Sequence, residues 1–296
     1  MNLISSANSD SVAVVIPAYN RADFVNEAIE SARSQGAAVS EIIVVDDGST
    51  DGTSEKAQQV KDARVKLISQ PNRGPAAARN TGWRATTSRW IMFLDSDDTL
   101  APGAIEALLS TARQQDDFVI PYGREEVFDS GFASRPVFTA YLSRRNGSVL
   151  ADIAVGFQGT IFCALFPRVC VEAVNGFDER MVYFDEWDFA LRIARLFEFV
   201  HLDTPVYRAR MHGQNRHRSF PQKACHEHMA MVRRFFANET RLAMRILRRR
   251  SMAHCQWILG KSHQAEGKRI DSRKAFLAAV RNWPFKLDAW RQYLIR

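Results

Sequence analysis

Two aspartates, Asp95 and Asp97, flank Ser96 directly after the apolar run Trp90–Leu94. Two carboxylates one residue apart at the end of a strand can project towards the same space. Such hard oxygen donors suit Mg²⁺ or Mn²⁺, which take their remaining ligands from water and substrate phosphates. A cation held there would stabilise the charge on a departing diphosphate. The competing interpretation is a polar turn that caps the helix expected after Pro102.

A second acidic pair, Asp46-Asp47, ends the apolar run Glu41–Val45 and leads into Gly48 and Ser49. A carboxylate at this place can accept a hydrogen bond from the imide N–H of a nucleobase. An Asx-turn explains the same residues equally well, because this composition is typical of turns. The pair alone does not decide between the two interpretations.

Small residues fill the segment Gly74–Gly82, which carries Arg79 and Asn80 on the early turns of a predicted helix. Small side chains permit a ligand to approach closely, and Arg79 could pair with phosphate or sugar oxygens. The segment has no GxxxxGK[ST] pattern, and no GxGxxG follows the first strand. Both absences argue against a Walker loop and against dinucleotide redox chemistry.

A third group of carboxylates, Asp185, Glu186 and Asp188, lies at the start of another predicted helix. One of these groups could act as a general base towards an acceptor hydroxyl, because crowded carboxylates raise each other's pKa. For Asp185, simple capping of the helix is a serious alternative. Further along the chain, the neutral imidazole of His212 is a candidate contact for a metal or a phosphate.

The cysteines Cys163, Cys170, Cys225 and Cys255 show no CxxC spacing, and we interpret them as small buried residues in a reducing compartment. The run Cys225–His228 contains metal-ligating residue types. Zinc is nevertheless disfavoured, because no second ligand pair has finger-like spacing.

The order of predicted elements indicates an α/β fold with a mostly parallel central sheet and helices on both faces. Ligands of such sheets lie beyond the carboxyl ends of the strands. We therefore expect the strand exits at Tyr19-Asn20, Asp46-Asp47 and Asp95–Asp98 to open onto one crevice. Strands are predicted at Val12–Ile16, Glu41–Val45, Val65–Ile68, Trp90–Leu94 and Phe118–Ile120.

Two parts are expected, residues 1–220 and a basic helical C-terminal extension, residues 221–296. The extension contains 17 Lys and Arg residues and 5 Asp and Glu residues, a net charge of +12, whereas residues 1–220 carry 23 and 28, a net charge of −5. This asymmetry predicts either an anionic partner for the extension or a solvated basic face. No apolar run reaches the roughly 18–20 residues that cross a bilayer, and residues 1–10 do not resemble a secretion signal. The expected location is cytoplasmic.

Five ordered motifs resemble those of the family-2 inverting glycosyltransferases, which have the GT-A nucleotide-diphospho-sugar transferase fold. The resemblance covers roughly residues 11–220 and does not extend to the C-terminal helices. The motifs are VVIPAYN (14–20), IIVVDDGSTDGT (42–53), NRGPAAARNTG (72–82), IMFLDSDD (91–98) and GFDERMVYFDEWDFALRIA (176–194).

The resemblance implies a role for each matched position. It implies that Asp97 and Asp95 bind Mn²⁺ or Mg²⁺, with His212 as a further contact. The catalytic base falls on Glu186, where family members often have Asp, so that Asp185 stays a rival. The implied nucleotide-sugar-binding residues are Pro17, Tyr19, Asn20, Asp46, Asp47, Arg79, Asn80, Asp95 and Ser96.

The implied activity is metal-dependent, inverting transfer of a sugar from a nucleotide-diphosphate donor, with UDP the expected nucleotide. The acceptor would be a glycan or a lipid-linked glycan in surface polysaccharide biosynthesis. The basic extension would suit peripheral contact with an anionic membrane at its inner face.

Three other functions are alternatives to sugar transfer. A nucleotidyltransferase would need a basic phosphate loop after the first strand, where only Arg21 is charged. A non-catalytic sugar-nucleotide-binding or scaffold protein with a partner-binding tail stays open, although the retained Asp95–Asp97 and Asp185-Glu186 pairs argue against it. The third alternative is nucleic-acid binding. The sequence contains no recognisable motif for it, and no nucleic-acid partner is expected.

Overall fold

A computed structural model describes residues 10–129, 136, 138–140, 143, 145–156, 160–212 and 221–294. The expected boundary after residue 220 adjoins residues 213–220, which are outside this range. The structure confirms the α/β class with a helical C-terminal part. The strands are β1 (Val12–Ala18), β2 (Val39–Asp46), β3 (Val65–Ser69), β4 (Trp90–Phe93), β5 (Thr99–Leu100), β6 (Ile120–Asp129), β7 (Phe138–Ala140), β8 (Phe166–Pro167) and β9 (Phe199–Met211).

Helices surround these strands and also form the whole described C-terminal part. Two short 3₁₀ helices lie at Gly36–Ala38 and Ile161–Cys163. The α-helices are α1 (Val25–Arg33), α2 (Thr53–Gln59), α3 (Pro75–Arg84), α4 (Ala104–Ala112), α5 (Leu150–Ala154), α6 (Arg168–Ala173), α7 (Asp185–Leu196), α8 (Gln222–Phe235), α9 (Leu242–Ala265), α10 (Arg269–Asn282) and α11 (Leu287–Leu294).

The first sheet has the strand order β3-β2-β1-β4-β8, in which β1 to β4 are mutually parallel and β8 is antiparallel to β4. Strands β1 and β4 are buried along their whole length. Their continuous apolar runs fit this environment, because a parallel strand is covered by helices on both faces. Helix α3 packs on the sheet through Gly82, where a methyl group would overlap the Val15 side chain.

A second sheet, with the order β5-β9-β6-β7, differs from the sequence prediction. The short strand expected at Phe118–Ile120 begins only at Ile120, runs on to Asp129, and belongs to this second sheet rather than to the first. It pairs in parallel with β9, and Gly123 lets the backbone of Thr204 approach closely. The prediction was wrong because β6 is rich in polar residues and its partner lies far away in the sequence.

The C-terminal helices pack on the rest of the molecule. Buried residues of α8, among them Met229 and Val232, belong to the same hydrophobic core as Phe189 of α7. Helix α9, the longest helix of the described residues, runs without interruption from Leu242 to Ala265. All four cysteines are buried, as predicted, and none of these four described residues forms a disulfide. No helix in the described residues is long and apolar enough to cross a membrane.

The acidic turn, residues Asp95–Asp98 after β4, is connected to the second sheet by one tyrosine. The hydroxyl of Tyr207, on β9, donates to Asp98 Oδ2 at 2.9 Å and accepts from the backbone N–H of Asp95 at 3.1 Å. Asp98 Oδ1 accepts from the backbone N–H of Arg210 at 2.8 Å. Burial raises the pKa of Asp98 well above its ordinary value, and the nearby Asp97 and Asp95 carboxylates raise it further. The turn is therefore fixed from beneath by β9.

We predict that Tyr207→Phe lowers the free energy of unfolding by about 1–3 kcal/mol, because it leaves two buried polar groups without their partner. Urea denaturation measures this change. The matched control is Tyr19→Phe, at a side chain that is 47% exposed, which should stay within about 0.5 kcal/mol of the unaltered chain. Equal stabilities of the Tyr207→Phe and Tyr19→Phe variants would contradict the role of the tyrosine.

Candidate active site

A cavity of about 770 Å³ opens where the parallel strands end. The acidic turn, the start of α3 and the start of α7 all contribute to its walls, so the expected crevice exists. Its lining includes Pro17, Tyr19, Arg21, Asp47, Arg73, Gly74, Arg79, Asp95, Ser96, Asp97, Glu125, Thr160, Met181, Val182, Glu186 and Arg210.

Arg79 occupies the centre of the site and is almost fully buried. Its Nη1 donates to Asp185 Oδ2 at 2.6 Å and its Nη2 to Asp95 Oδ1 at 2.7 Å. The guanidinium lies 4.5 Å from the centre of the Phe162 ring. Burial by itself lowers the pKa of Arg79, but the adjacent carboxylates outweigh burial and raise this pKa above its ordinary value. The side chain is therefore a permanent cation between the acidic turn and α7.

Glu186 is the carboxylate of α7 that lines the cavity. Its Oε1 lies 3.5 Å from Arg79 Nη2, and its Oε2 accepts from the Thr160 hydroxyl at 3.2 Å. Burial raises the pKa of Glu186 to about 8; Arg79 opposes this shift, whereas Asp95 and Asp185 add to it. Asp185 instead points at Arg79 and is absent from the cavity lining. Of the two rivals, the geometry gives Glu186 access to a substrate.

Asp97 contacts other residues than Asp95, which is bonded to Arg79. Its Oδ2 accepts from Arg21 Nε at 3.2 Å and lies 3.1 Å from His212 Nε2. The His212 ring stacks on Phe24, with ring centroids 4.8 Å apart. The predicted metal-binding pair of Asp97 and His212 is thus in contact, although 115 residues separate the two positions.

The donor set fits a hard cation in part. No hydrogen bond reaches Asp97 Oδ1 or Asp95 Oδ2 from the described residues, and both carboxylates line the cavity. The same residues contain no group of three or more His, Cys, Asp or Glu side chains that could hold a metal by itself. Mg²⁺ is usually bound through one or two carboxylates together with water and substrate phosphates, and Asp97 and Asp95 are the residues that could supply those carboxylates here.

Asp47 holds the loop that precedes α3. Its Oδ1 accepts from Gln70 Nε2 at 2.7 Å and from the Arg73 backbone N–H at 2.9 Å, and its Oδ2 accepts from the Gly74 backbone N–H at 2.8 Å. The residue still lines the cavity, together with Pro17 and Tyr19. Its carboxylate therefore shapes the wall of the site through the backbone of residues 73–74.

Three predicted donor-binding residues lie outside the cavity lining: Asn20, Asp46 and Asn80. Asp46 Oδ1 accepts from the Ser49 backbone N–H at 3.0 Å, which is the turn interpretation of this residue. Asn20 adopts a left-handed backbone conformation and accepts from the Thr50 backbone N–H at 2.9 Å. Asn80 is buried and binds both the N–H and the C=O of Phe177. In this structure the three side chains support loops around the cavity and do not line it.

Glu125, on β6, is a cavity residue that the sequence analysis missed. Its Oε2 accepts from the Thr160 backbone N–H at 2.7 Å, so Thr160 connects it to Glu186. Burial raises the pKa of Glu125 to about 7 despite this hydrogen bond, and Asp95 contributes to the rise. Its only signal in the sequence was an acidic residue inside a strand, which could not be recognised without knowing that β6 continued to Asp129.

Comparisons with known proteins assign the family. Residues 13–166, just over half of the chain, match the family model described as Glycosyl transferase family 2. The succinoglycan biosynthesis protein ExoO of Rhizobium meliloti (strain 1021) is 45% identical over 102 residues, which cover 34% of this chain and 29% of that protein. The chondroitin synthase of Escherichia coli is 29% identical over 219 residues, which cover 69% of this chain and 29% of that protein.

Two solved structures share the fold. S. aureus TarS 1–349 in complex with UDP-GlcNAc superposes with a TM-score of 0.63 at 14% identity, over 95% of this chain and 92% of that one. The mannosyltransferase PcManGT from Pyrobaculum calidifontis in complex with GDP-Man and Mn²⁺ gives a TM-score of 0.57 at 20% identity, over 95% of this chain and 77% of that one.

The match spans only 29% of each of the two curated relatives, so the comparison concerns one domain of longer proteins. The family and the fold expected from the five sequence motifs are confirmed. The chain belongs to glycosyl transferase family 2, and its fold is that of the GT-A glycosyltransferases.

Proposed function

We propose that this chain is a metal-dependent, inverting glycosyltransferase that moves a sugar from a UDP-sugar to a hydroxyl of a glycan or lipid-linked acceptor. The observation that carries the proposal is that Glu186 and Asp97 line one cavity, with Arg79 bonded to Asp95 between them. A raised-pKa carboxylate and a candidate cation site thus face the same ligand space. General-base chemistry beside a diphosphate needs this pairing.

The proposed reaction gives each of these residues a task. Ionised Glu186 takes the proton of the acceptor hydroxyl, whose oxygen attacks the anomeric carbon of the donor sugar. The bond from that carbon to the diphosphate breaks, and its electron pair leaves with the diphosphate. Thr160 and Arg79 hold Glu186 in place. A divalent cation held by Asp97, with Asp95 and His212 nearby, would supply charge stabilisation for the leaving group.

Relatives support the class of substrate. The named relatives include proteins of succinoglycan biosynthesis and chondroitin synthesis, and the fold neighbours carry UDP-GlcNAc or GDP-Man with Mn²⁺. We extend to this chain a nucleotide-sugar donor and a role in polysaccharide biosynthesis. The alternative is a non-catalytic sugar-nucleotide-binding protein. Such a protein would not need a candidate base that lines the cavity.

The basic extension supports a place for the reaction. The first turns of α9 expose Leu242 and Ile246, at 71% and 43%, beside the exposed residues Arg245 and Arg249. Apolar side chains next to arginines match the chemistry of an anionic leaflet. We propose a cytoplasmic enzyme that contacts the inner face of the membrane through this surface and meets a lipid-linked acceptor there.

The donor nucleotide and the metal are tested together. Calorimetry with UDP, GDP and dTDP, each with Mn²⁺, Mg²⁺ or EDTA, should show metal-dependent binding of UDP. In Asp97→Asn, the added metal should no longer increase the affinity for UDP, because the substitution removes the negative charge that faces the cation. Asp23→Asn, at an exposed aspartate of the loop before α1, should bind as the unaltered chain does. Tight UDP binding in EDTA would contradict a metal-dependent site.

The pH dependence of turnover tests Glu186. Since its pKa is about 8 and the base must be ionised, kcat/KM should rise about tenfold per pH unit below pH 8 and level off above it. Glu186→Gln should remove this limb and lower kcat by about 10²–10⁴-fold. Glu55→Gln, an exposed residue of α2, serves as control. A fully active Glu186→Gln variant would exclude this residue as the base.

Sedimentation with vesicles that contain phosphatidylglycerol tests the membrane surface. Binding should occur at low salt and weaken as salt screens the charges. Arg245→Ala with Arg249→Ala should weaken it about 30-fold, at about 1 kcal/mol for each basic residue. Lys56→Ala with Lys61→Ala removes the same charge from another exposed surface and should change little. Absence of binding at low salt would reject this location.

A further inference from the structure

Helix α7, which carries Glu186, begins without a cap of its own. Its N-cap residue is Phe184, whose side chain has no polar atom that could accept a backbone hydrogen bond. The first helical carboxylate, Asp185, is bonded to Arg79. A partner from another element instead accepts from the backbone N–H groups of the N-cap residue and of the two residues before it.

That partner is Glu227, on α8 of the C-terminal extension. Its Oε1 accepts from the backbone N–H of Tyr183 at 2.8 Å and of Phe184 at 3.1 Å, and its Oε2 accepts from the backbone N–H of Val182 at 3.1 Å. Three consecutive N–H groups thus converge on one carboxylate. Hydrogen bonds to an ionised acceptor are roughly twice as strong as neutral ones, so this contact fixes the entry to α7.

Other residues of α8 contact the same turn. The ring of His228 stacks on Phe184, with centroids 4.4 Å apart, and lies 4.5 Å from the Trp187 ring. The Arg234 guanidinium donates to Asp188 Oδ1 at 3.0 Å. These contacts are made with residues on both sides of Glu186 in the sequence. Helix α8 therefore holds the first turn of α7 through polar and aromatic contacts together.

The segment held by Glu227 is also a wall of the active site. Met181 and Val182 line the same cavity as Glu186, and the backbone N–H of Val182 is one of the three groups that Glu227 accepts from. A displacement of about 1 Å at a reacting group can slow catalysis about 10²-fold. Loss of the Glu227 contact would therefore affect the position of Glu186 and that of Val182 in the cavity wall.

We propose that Glu227 is a positioning residue for Glu186, and that the C-terminal extension is in this way a part of the active site. The proposal deepens the proposed function and rests on it, because it assumes that Glu186 is the base. It assigns to the extension a task beyond contact with a membrane.

The experiment compares Glu227→Ala and Glu227→Gln in the full chain. Hydrogen exchange at the amides of residues 182–184 reports the contact itself and does not depend on activity. Release of UDP from UDP-GlcNAc and other UDP-sugars into water reports turnover without an identified acceptor. Calorimetry with UDP and Mn²⁺ reports donor binding. The matched control is Glu266→Ala, which removes a carboxylate of the extension that is bonded to Gln222 and Lys268.

In Glu227→Ala we expect faster exchange at residues 182–184 and a fall in kcat of about 10–100-fold, with donor KM and UDP affinity unchanged. Glu227→Gln keeps one acceptor oxygen and should recover part of the loss in kcat. Glu266→Ala should match the unaltered chain in all three measurements.

Unchanged exchange in Glu227→Ala would overturn the contact. Faster exchange with unchanged kcat would overturn the positioning role and leave the proposed function intact. An unaltered chain that releases no UDP from any donor would instead refute the proposed function, while the exchange data would still decide whether Glu227 holds residues 182–184 at the entry to α7.

Discussion

The buried guanidinium of Arg79 is the interaction on which the site depends. A charge taken out of water is costly unless it is paired, and here Asp95 and Asp185 each accept from it at 2.6–2.7 Å. The two carboxylates come from the acidic turn after β4 and from α7. Because one rigid planar fork satisfies both, Arg79 fixes the distance between the candidate cation site and the candidate base. Glu186 Oε1 lies 3.5 Å from Nη2 of the same guanidinium.

Two side chains from later in the sequence hold the elements that Arg79 connects. Tyr207, on β9, fixes the acidic turn from beneath, and Glu227, on α8, fixes the entry to α7. Neither side chain belongs to the five motifs that identified the family. The motifs supply the candidate base and the candidate cation ligands, whereas contacts from the second sheet and from α8 hold the segments that carry them.

Local patterns were sufficient for the four parallel strands of the first sheet and for the cavity. The apolar runs at Val12–Ile16 and Glu41–Val45 predicted buried parallel strands, and the rule for strand exits brought Tyr19, Asp47 and Asp97 to one crevice. Long-range pairing was not predictable in the same way. Glu125 was missed because β6 acquires its strand partner from β9, and the contact of Asn80 with Phe177, 97 residues away, was not predicted. Such contacts leave no local period in the sequence.

The most direct test of the account is the anomeric configuration of the sugar first released from an α-linked UDP-sugar donor. Proton NMR during the first minutes of metal-supported hydrolysis can observe it before mutarotation is complete. Attack by an oxygen activated at Glu186, opposite the departing diphosphate, predicts that the β-anomer appears first. Early appearance of the α-anomer would contradict a single displacement and, with it, the role given to Glu186.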